Sequence, residues 1–464
     1  MSKEKVMNAI EASKERFFRL AAEIWNRPEI SYHERESAGL QKAAVREFGF
    51  RVVELDRIQN HAFIAEYGSG SPVIGLLGEF DALPGLSQKV STAQEPVAAG
   101  GPGHGCGHNL LGTACIAAAT GIKSALETDR LKGTVRYYGC PAEEQVGKPV
   151  LAKAGVFSGL DAVLCWHPAD INTVAAYGTN ASVELVFRFK GMPSHAAQVP
   201  HLGRSALDAL TLMSVGVEFL REHMPQSGRV HYIVTSGGER PNIVPKGAEG
   251  HFQVRSPRMR EVLPLVRRVI DVAKGAALMT GTQVEWEVLR GCYDVVPNSV
   301  ISDVLYDNLK GVPLPVFDAA DHDLAAGLAA YSNEDQKRAT LAMFGIDPAS
   351  ATTIINSPLH ESVGYWGVGW TIPASTDVGD VSHLAPTAQI NTATWPVGVG
   401  SHTWQATAAS GSGIGMKGML YAAKVLAGAA YDLMTRPDLV QRARTEFVAA
   451  TADETYAPAE ELIK

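Results

Sequence analysis

The sequence has no long run of apolar residues. Its longest nearly apolar stretch, around Thr113–Ile122, is too short to cross a bilayer, since a membrane-spanning helix needs about 20 such residues. The first residues, Met1–Lys5, are charged and lead into an amphipathic helical pattern, so no signal peptide is expected. We therefore expect a protein without a membrane segment.

Positive charge and cysteine are both scarce. The 41 Lys and Arg residues against 49 Asp and Glu residues give a net charge of −8, which argues against binding to nucleic acid or to an anionic lipid surface. The five cysteines are an odd number in a long chain, which is unlike the disulfide framework of a secreted protein. The sequence thus predicts a cytoplasmic protein with reduced thiols.

The composition itself is that of an ordinary globular protein, with 46% hydrophobic and 19% charged residues. A length of 464 residues allows two or three domains, and a core of that size needs no disulfide or zinc to fold. The apolar positions of the first helix, which extends to Ile24, fall on one face.

The first part of the chain, residues 1–180, has the pattern of an α/β domain. Strands are predicted at Thr134–Tyr138 and Asp161–Trp166, and helices at about Leu111–Leu126 and Pro149–Val156. Continuous apolar strands that alternate with helices indicate a mixed, mostly parallel sheet covered on both faces. A final helix near Gly413–Thr435 belongs to the last part, residues 296–464, which we expect to complete this domain.

The pattern changes in residues 181–295, where the strands are half exposed. Ser182–Lys190 alternates between apolar and polar residues, except at Val186. Six elements follow the order β-α-β-β-α-β, which is typical of a ferredoxin-like domain: Ser182–Lys190, Arg204–His223, Val230–Thr235, Gly250–Arg255, Glu261–Met279 and Thr282–Leu289. The sequence predicts that this small domain is inserted into the larger one.

The densest chemical signal is the Gly-rich segment Gly103–Asn109. Cys106 and His108 stand two residues apart with a glycine between them, a spacing that can turn a thiolate and an imidazole toward one metal ion. The alternative is a flexible turn with an incidental histidine.

Further polar residues follow predicted strands. Glu143 and Glu144 come just after the strand that ends at Tyr138, and His167 directly follows Trp166. Open α/β sheets bind ligands at the carboxyl ends of their strands, although paired acids are more often solvated surface and a lone histidine is more often structural. His402 lies in a Gly-rich loop before the last helix, and His383 competes for its role.

Together these residues supply nitrogen, oxygen and sulfur ligands for two divalent cations, with one carboxylate to spare. A di-metal hydrolase needs such a set, because the metals activate a water molecule and a glutamate takes its proton.

With these segments the chain resembles the metallopeptidase family that includes aminoacylases, glutamate carboxypeptidases and auxin-conjugate amidohydrolases. The matching segments are Gly78–Pro84, Gly105–His108, Pro141–Glu144, Gly191–Ala197, Pro241–Pro245 and Ser401–Trp404. Three more segments narrow the resemblance to members that act on p-aminobenzoyl-glutamate: His201–Ala209, Ser375–Ser382 and Lys417–Leu420. The resemblance covers essentially the whole chain.

The resemblance implies a role for each matching residue. It makes Glu143 the general base and His195 a group that stabilises the developing oxyanion. It implies five metal ligands, which are Cys106, His108, Glu144, His167 and His402. Asn242 and Arg255 would hold the free carboxylate of the substrate, and the guanidinium of Arg255 suits bidentate carboxylate binding.

The chain departs from the wider family at one position beside the ligands. Many amidohydrolases have Asp after the ligand histidine, where this chain has Asn109, so the hydrogen-bond partner of the His108 imidazole is open. Asp81 is a candidate for that orienting role, and the alternative is an acid in a turn.

The resemblance implies a di-metal amidohydrolase that cleaves the amide between an acyl or aroyl group and an amino acid, with glutamate expected. Its cofactors would be two divalent ions per subunit, Zn or Mn. Its partners would be the small N-acyl amino acid substrate, a second copy bound through the inserted lid and dimerisation domain, and a companion subunit. Three alternatives remain open: hydrolysis of another amide or aryl-amine, a dipeptidase or carboxypeptidase, and a binding protein without turnover.

Overall fold

The computed structural model describes residues 3–128 and 131–463. The chain divides into two compact units, which are described separately. The larger unit comprises residues 1–178, 296–372 and 381–453, and the smaller unit comprises residues 179–295, 373–380 and 454–464. Within the described ranges, no helix is long and apolar enough to span a membrane.

The larger unit is built on an eight-stranded sheet. In spatial order its strands are Arg51–Glu54, Phe63–Ser69, Gly133–Gly139, Val73–Gly78, Ala162–Ala169, Thr387–Ala393, Thr173–Ala175 and Gly364–Trp366. The third to sixth strands of that order run parallel to one another, and antiparallel pairs flank them. The prediction of a mixed, mostly parallel sheet is confirmed.

Helices cover this sheet, and the central ones are apolar on nearly every side. The His108–Thr128 and Gly413–Thr435 helices are rich in alanine and glycine, which lets them approach closely in the core. The remaining helices outside the smaller unit's main fold are Lys3–Ala12, Lys14–Trp25, Arg35–Glu47, Lys148–Lys153, Ser299–Gly311, Ala319–Ala329, Glu334–Met343, Pro348–Ile354, Val378–Ser382, Trp404–Ser410, Pro437–Ala450 and Ala459–Leu462. Two short strands, Gly178–Thr179 and Thr371–Ile372, complete the elements.

The prediction of one long helix at the start of the chain is wrong in detail. The structure has two helices, and Ser13 stands between them with a non-helical backbone. The buried face nevertheless continues through both, because Val6, Ile10, Phe17 and Ile24 are all buried.

The smaller unit is an antiparallel four-stranded sheet with two helices on one face. Its elements in chain order are Ala181–Lys190, Ala206–Leu220, Arg229–Ser236, Gly247–Ser256, Met259–Thr280 and Gln283–Cys292. Numbered along the chain, the strands lie in the order 4-1-3-2 across the sheet. This is the β-α-β-β-α-β arrangement of a ferredoxin-like fold.

Two later segments belong to the smaller unit, although the sequence pattern placed them in the last part of the chain. In residues 373–380, the carboxylate of Asp380 accepts hydrogen bonds from the Tyr293 backbone and the Tyr456 hydroxyl. From the end of the chain, Ala459 and Ile463 pack into the apolar core of this unit.

Candidate metal centre

The Gly-rich segment before the His108–Thr128 helix places Cys106 and His108 inside the larger unit. Gly107 has a φ of 74°, and a Cβ atom there would come within 2.9 Å of the Pro168 ring. This position needs glycine for both reasons. The turn lets the helix begin at His108, whose side chain is fully buried.

Hydrogen bonds fix which nitrogen of each histidine faces the centre. The Nδ1 atom of His108 lies 2.8 Å from Asp81 Oδ1, and Nδ1 of His167 lies 2.7 Å from the Pro168 carbonyl oxygen. Both oxygens accept hydrogen bonds, so Nδ1 carries the proton in each ring and Nε2 presents its lone pair. The Nε2 atom of His167 lies 3.3 Å from Cys106 Sγ.

Asp81 therefore orients His108, and this settles the open question of the imidazole's partner. Its other oxygen accepts hydrogen bonds from the Ser31 hydroxyl at 2.7 Å and from the Glu144 backbone at 3.0 Å. Asn109 instead donates its side-chain amide to the backbone oxygens of Ala21 and Ser410.

The two glutamates lie on a tightly held turn after the Gly133–Gly139 strand. Ala142 precedes them with a φ of 60°, a left-handed conformation that costs free energy for a residue with a Cβ atom. The buried carboxylate of Glu34 accepts the Ala142 N–H at 2.6 Å, and Gln59 donates to the Pro141 carbonyl. This strained turn directs Glu143 and Glu144 inward, each with about a tenth of its side chain exposed.

His402 reaches the same place from the far end of the chain. Its backbone also has a positive φ, 63°, and its N–H donates to the Gly105 carbonyl oxygen at 2.8 Å. The imidazole Nε2 lies 3.4 Å from Glu144 Oε1.

Three groups of side chains in the described residues could each hold a cation. They are Cys106 with His108 and His167, Cys106 with Glu144 and His402, and Glu79 with His108 and Glu143. Because Cys106 belongs to the first two groups, its sulfur lies where it could bridge two cations. His383, the competing histidine, is in none of the three groups.

The polar atoms of this centre fit a metal ion. The Nε2 atom of His108 and the Oε1 atom of Glu144 are buried without a hydrogen-bond partner. A buried polar group without a partner costs free energy, which a bound cation would recover. Thiolate, imidazole and carboxylate are also the ligand types that zinc and its neighbours take in proteins.

The electrostatics of the ligands agree with that fit. Burial opposes ionisation of the Cys106 thiol, but His167 and His108 outweigh it and hold the pKa of that thiol well below its ordinary value. Burial and the Cys106 thiolate raise the pKa of Glu144. Against its own burial, the imidazole of His108 lowers the pKa of Asp81 to about 2. The site thus favours a thiolate and an ionised Asp81, as a cation requires.

The residues proposed to bind substrate lie in the smaller unit. His195 and Asn242 are exposed neighbours, since His195 forms an isolated β-bridge with Ile243 and the Ala196 N–H donates to the Asn242 carbonyl. The Nδ1 atom of His195 accepts the backbone N–H groups of residues 197 and 198, which leaves Nε2 to donate.

Arg255 differs from three other basic residues on the same face of that sheet. Arg188, Lys190 and Arg290 each pair with a glutamate at 2.5–2.8 Å. Arg255 donates only to the Gln253 amide and, at 3.5 Å, to the Pro373 carbonyl, and its Nε is buried without a partner. Within the described part of the chain, no carboxylate pairs with this guanidinium.

Sequence reasoning missed two charged residues at the centre, Glu79 and Lys148. Their side chains are buried and ion-paired, with Lys148 Nζ 2.5 Å from Glu79 Oε1. Glu79 directly follows the Val73–Gly78 strand, the same signal that singled out Glu143 and Glu144.

The α/β sheet thus carries a candidate metal centre at the carboxyl ends of its strands, where open α/β proteins bind their ligands. No protein-family model matches the chain. It is 40% identical over 459 residues to one subunit of the p-aminobenzoyl-glutamate hydrolase of Escherichia coli, with 97% of this chain and 95% of that protein covered. It is 30% identical over 465 residues to mouse Xaa-Arg dipeptidase, with 96% and 92% covered.

A solved structure shares the fold. A dinuclear metal-binding peptidase of the M20 family from Bacillus subtilis superposes with a TM-score of 0.54 at 18% identity, covering 90% of this chain and 98% of that one. The chain belongs to the M20 family of metallopeptidases and amidohydrolases, and it is a metal-dependent enzyme that acts on amide bonds.

Proposed function

We propose that the chain is a di-metal amidohydrolase that cleaves N-acyl or N-aroyl amino acids of the p-aminobenzoyl-glutamate type. The observation that carries this proposal is the convergence of one thiol, three imidazoles and three carboxylates in the larger unit. The 40% identity to a p-aminobenzoyl-glutamate hydrolase supports the choice of substrate.

Glu143 is the general base of the proposed reaction. Its Oε2 atom lies 3.9 Å from His108 Nε2, beside the ligands rather than among the five side chains assigned to metal binding. Two divalent cations, Zn or Mn, would supply Lewis acidity toward water and the amide carbonyl. Glu143 takes a proton from the attacking water and delivers it to the amine as the C–N bond breaks, which yields a carboxylate and a free amino acid.

Recognition of the amino acid is assigned to the smaller unit. Arg255 lacks a carboxylate partner, so a substrate carboxylate can form two parallel hydrogen bonds with it. His195 is assigned to stabilise, through its Nε2–H, the oxyanion that develops on the carbonyl, and Asn242 is assigned to carboxylate binding.

Within one chain, Asn242 and Arg255 lie at opposite ends of the sheet. Arg255 pairs with Ser182 near the end of its strand, whereas the loop that carries Asn242 joins that strand at Gly247, opposite Lys190. Eight residues separate Gly247 from Arg255, a distance of about 26 Å along a strand. If both side chains hold one carboxylate, they come from two subunits.

The smaller unit also has a surface suited to a second copy. The Arg229–Ser236 strand is an edge strand, and its Ile233 and Val234 are more than half exposed. The Ala206–Leu220 helix exposes Leu212, Val215 and Phe219 on one side. Unpaired strand edges and contiguous exposed apolar residues are typical of association surfaces, which supports a homodimer through this unit.

A complementation experiment between variant subunits tests that dimer. Asn242→Ala and Arg255→Ala homodimers should each have little activity. After mixing and subunit exchange, heterodimers with one intact site should restore about a quarter of the wild-type activity. No recovery in a demonstrated heterodimer would contradict the assignment of these residues to two subunits.

A chelator-sensitive assay tests the reaction itself. Purified protein should release p-aminobenzoate from p-aminobenzoyl-glutamate, lose that activity after chelation, and regain it with Zn²⁺ or Mn²⁺. Metal binding without turnover of any N-acyl amino acid would instead favour a binding protein. Adding a companion subunit is part of the assay, because the E. coli relative is itself named as one subunit of its hydrolase. All five cysteines are buried, and an odd number cannot all form disulfides within one chain, which supports a cytoplasmic location.

A dipeptidase is the second candidate function, because the mouse relative at 30% identity is an Xaa-Arg dipeptidase. A panel of N-aroyl amino acids and dipeptides, compared by kcat/KM, separates the two activities. A preference for dipeptides would replace the aroyl-glutamate proposal while leaving the metal centre unchanged.

A further inference from the structure

The resemblance to the family gives Glu79 no role, yet its carboxylate faces the metal centre. It follows the Val73–Gly78 strand, and its side chain is 4% exposed. The Oε1 atom pairs with Lys148 Nζ at 2.5 Å, and the Lys148 side chain is fully buried. The Oε2 atom is buried, has no hydrogen-bond partner, and lies 3.4 Å from His108 Nε2, which also has none.

The contact between Glu79 and His108 is too long for an ordinary hydrogen bond. Such N–H···O bonds span about 2.7–3.2 Å. In the neutral imidazole that a metal ion binds, the proton is on Nδ1, where it bonds Asp81, and the Nε2 lone pair faces Glu79. A cation between Nε2 and Glu79 Oε2 would satisfy both atoms, since neither has a hydrogen-bond partner.

The distance matches that of two ligands on one cation. Nitrogen and oxygen ligands at about 2.0–2.2 Å from a tetrahedral ion lie about 3.4 Å apart. His402 Nε2 and Glu144 Oε1, which belong to one of the three candidate groups, are separated by the same 3.4 Å. The pair formed by Glu79 and His108 has the same spacing.

Lys148 explains how a third carboxylate can be buried here. A buried carboxylate without a compensating charge is strongly unfavourable. The ammonium of Lys148 compensates the charge at Oε1 and fixes the rotamer, which leaves Oε2 directed at His108.

We propose that Glu79 is a further metal ligand, which binds through Oε2 the cation that His108 binds through Nε2, and that Lys148 is the residue that positions it. The inference rests on the metal centre of the proposed function but not on its substrate. An added carboxylate oxygen also makes this site more favourable for hard cations such as Mn²⁺ than thiolate and imidazole alone.

Titration of the metal-free protein with Co²⁺ tests this proposal without any substrate. Glu79→Gln should bind one of two Co²⁺ ions at least about 10-fold more weakly in competition with a chelator, and the visible absorption of the bound Co²⁺ should change. Asp321→Asn is the matched control. Asp321 is a buried carboxylate of the same unit that also pairs with a lysine, Lys417, but it lies outside the three ligand groups, so its variant should match the wild type.

A second variant keeps the test decisive if Glu79→Gln does not fold. The double variant Glu79→Gln/Lys148→Met removes both charges, leaves no unpaired ammonium, and should show the same weakened site. Either folded variant with wild-type stoichiometry, affinity and spectrum would overturn the role of Glu79. If the wild-type protein binds Co²⁺ normally but does not hydrolyse p-aminobenzoyl-glutamate, the proposed function alone is overturned.

Discussion

The polar residues of the larger unit are held by buried partners, whereas those of the smaller unit are exposed. His108 is fixed by Asp81, and the Glu144 backbone by the same carboxylate. His195 and Asn242, in contrast, lie on exposed loops. The difference teaches that the candidate ligands are held in place within one fold, whereas the residues proposed to bind substrate are not held by buried partners.

The largest effect on activity should come from a substitution in the metal centre of the larger unit. Glu143→Gln should lower kcat about 10³-fold with both metals still bound, because only the proton transfer is lost. Glu144→Gln is the contrasting variant and should lose metal together with activity. Kinetics combined with elemental analysis measure both. Equal metal loss in the two variants would show that Glu143 is a ligand rather than the base.

His402 belongs to the metal centre of the larger unit but is its most exposed member, with 52% of its side chain accessible. In exposure it therefore resembles the residues of the smaller unit. His402→Asn should remove or weaken one metal site and most of the activity, since the shorter side chain cannot reach Glu144. Asparagine tolerates the positive φ at this position, which limits backbone effects. The control His383→Asn should keep its full metal content. The reverse pattern would exclude His402 as a ligand.

A smaller loss of activity is expected from substitution of a proposed substrate-binding residue of the smaller unit. Arg255→Lys should lower kcat/KM about 30-fold, equivalent to about 2 kcal/mol, because a point charge cannot form the two parallel hydrogen bonds. With the wild type, kcat/KM for the α-amide of the substrate should be lower than for the substrate itself by a similar factor. With the Arg255→Lys variant, replacing the substrate by its α-amide should cause little further loss. The control Arg290→Lys keeps its pairing with Glu184 and should be nearly neutral. Unchanged turnover of the α-amide would remove the carboxylate interaction from this account.

The smallest effect is expected at an exposed ion pair. Lys190 and Glu285 form a pair 2.5 Å apart on the smaller unit, and each side chain is more than half exposed. Lys190→Gln should change the free energy of unfolding by no more than about 0.5 kcal/mol, because solvent screens exposed pairs. Denaturant unfolding measures it. A decrease in the free energy of unfolding of more than about 2 kcal/mol would contradict the distinction between buried and exposed charges.

The main features of the fold were readable from local sequence patterns. Continuous apolar runs marked the parallel strands, and alternation marked the half-exposed ones, because both depend on neighbouring residues. The membership of residues 373–380 in the smaller unit was not readable. It depends on the hydrogen bond between Asp380 and Tyr456, which are 76 positions apart, and no local pattern encodes that contact.

The candidate site was predictable where several signals coincided. Cys106 and His108 share a Gly-rich turn, and Glu143, Glu144 and His167 lie at strand ends. Glu79 has the same strand-end position, but a single acid after a strand does not stand out. Lys148 was unreadable because lysine is almost never fully buried, and only the three-dimensional pairing with Glu79 reveals it.

The central claim is the proposed di-metal centre, in which Cys106, which belongs to two of the candidate ligand groups, would join two cations inside the larger unit. Anomalous scattering from crystals of the metal-loaded enzyme tests it most directly. The account predicts two peaks about 3.5–4 Å apart, both within bonding distance of Cys106 Sγ, with Glu143 bound to neither. A single peak, or two peaks of which one does not contact Cys106, would contradict it.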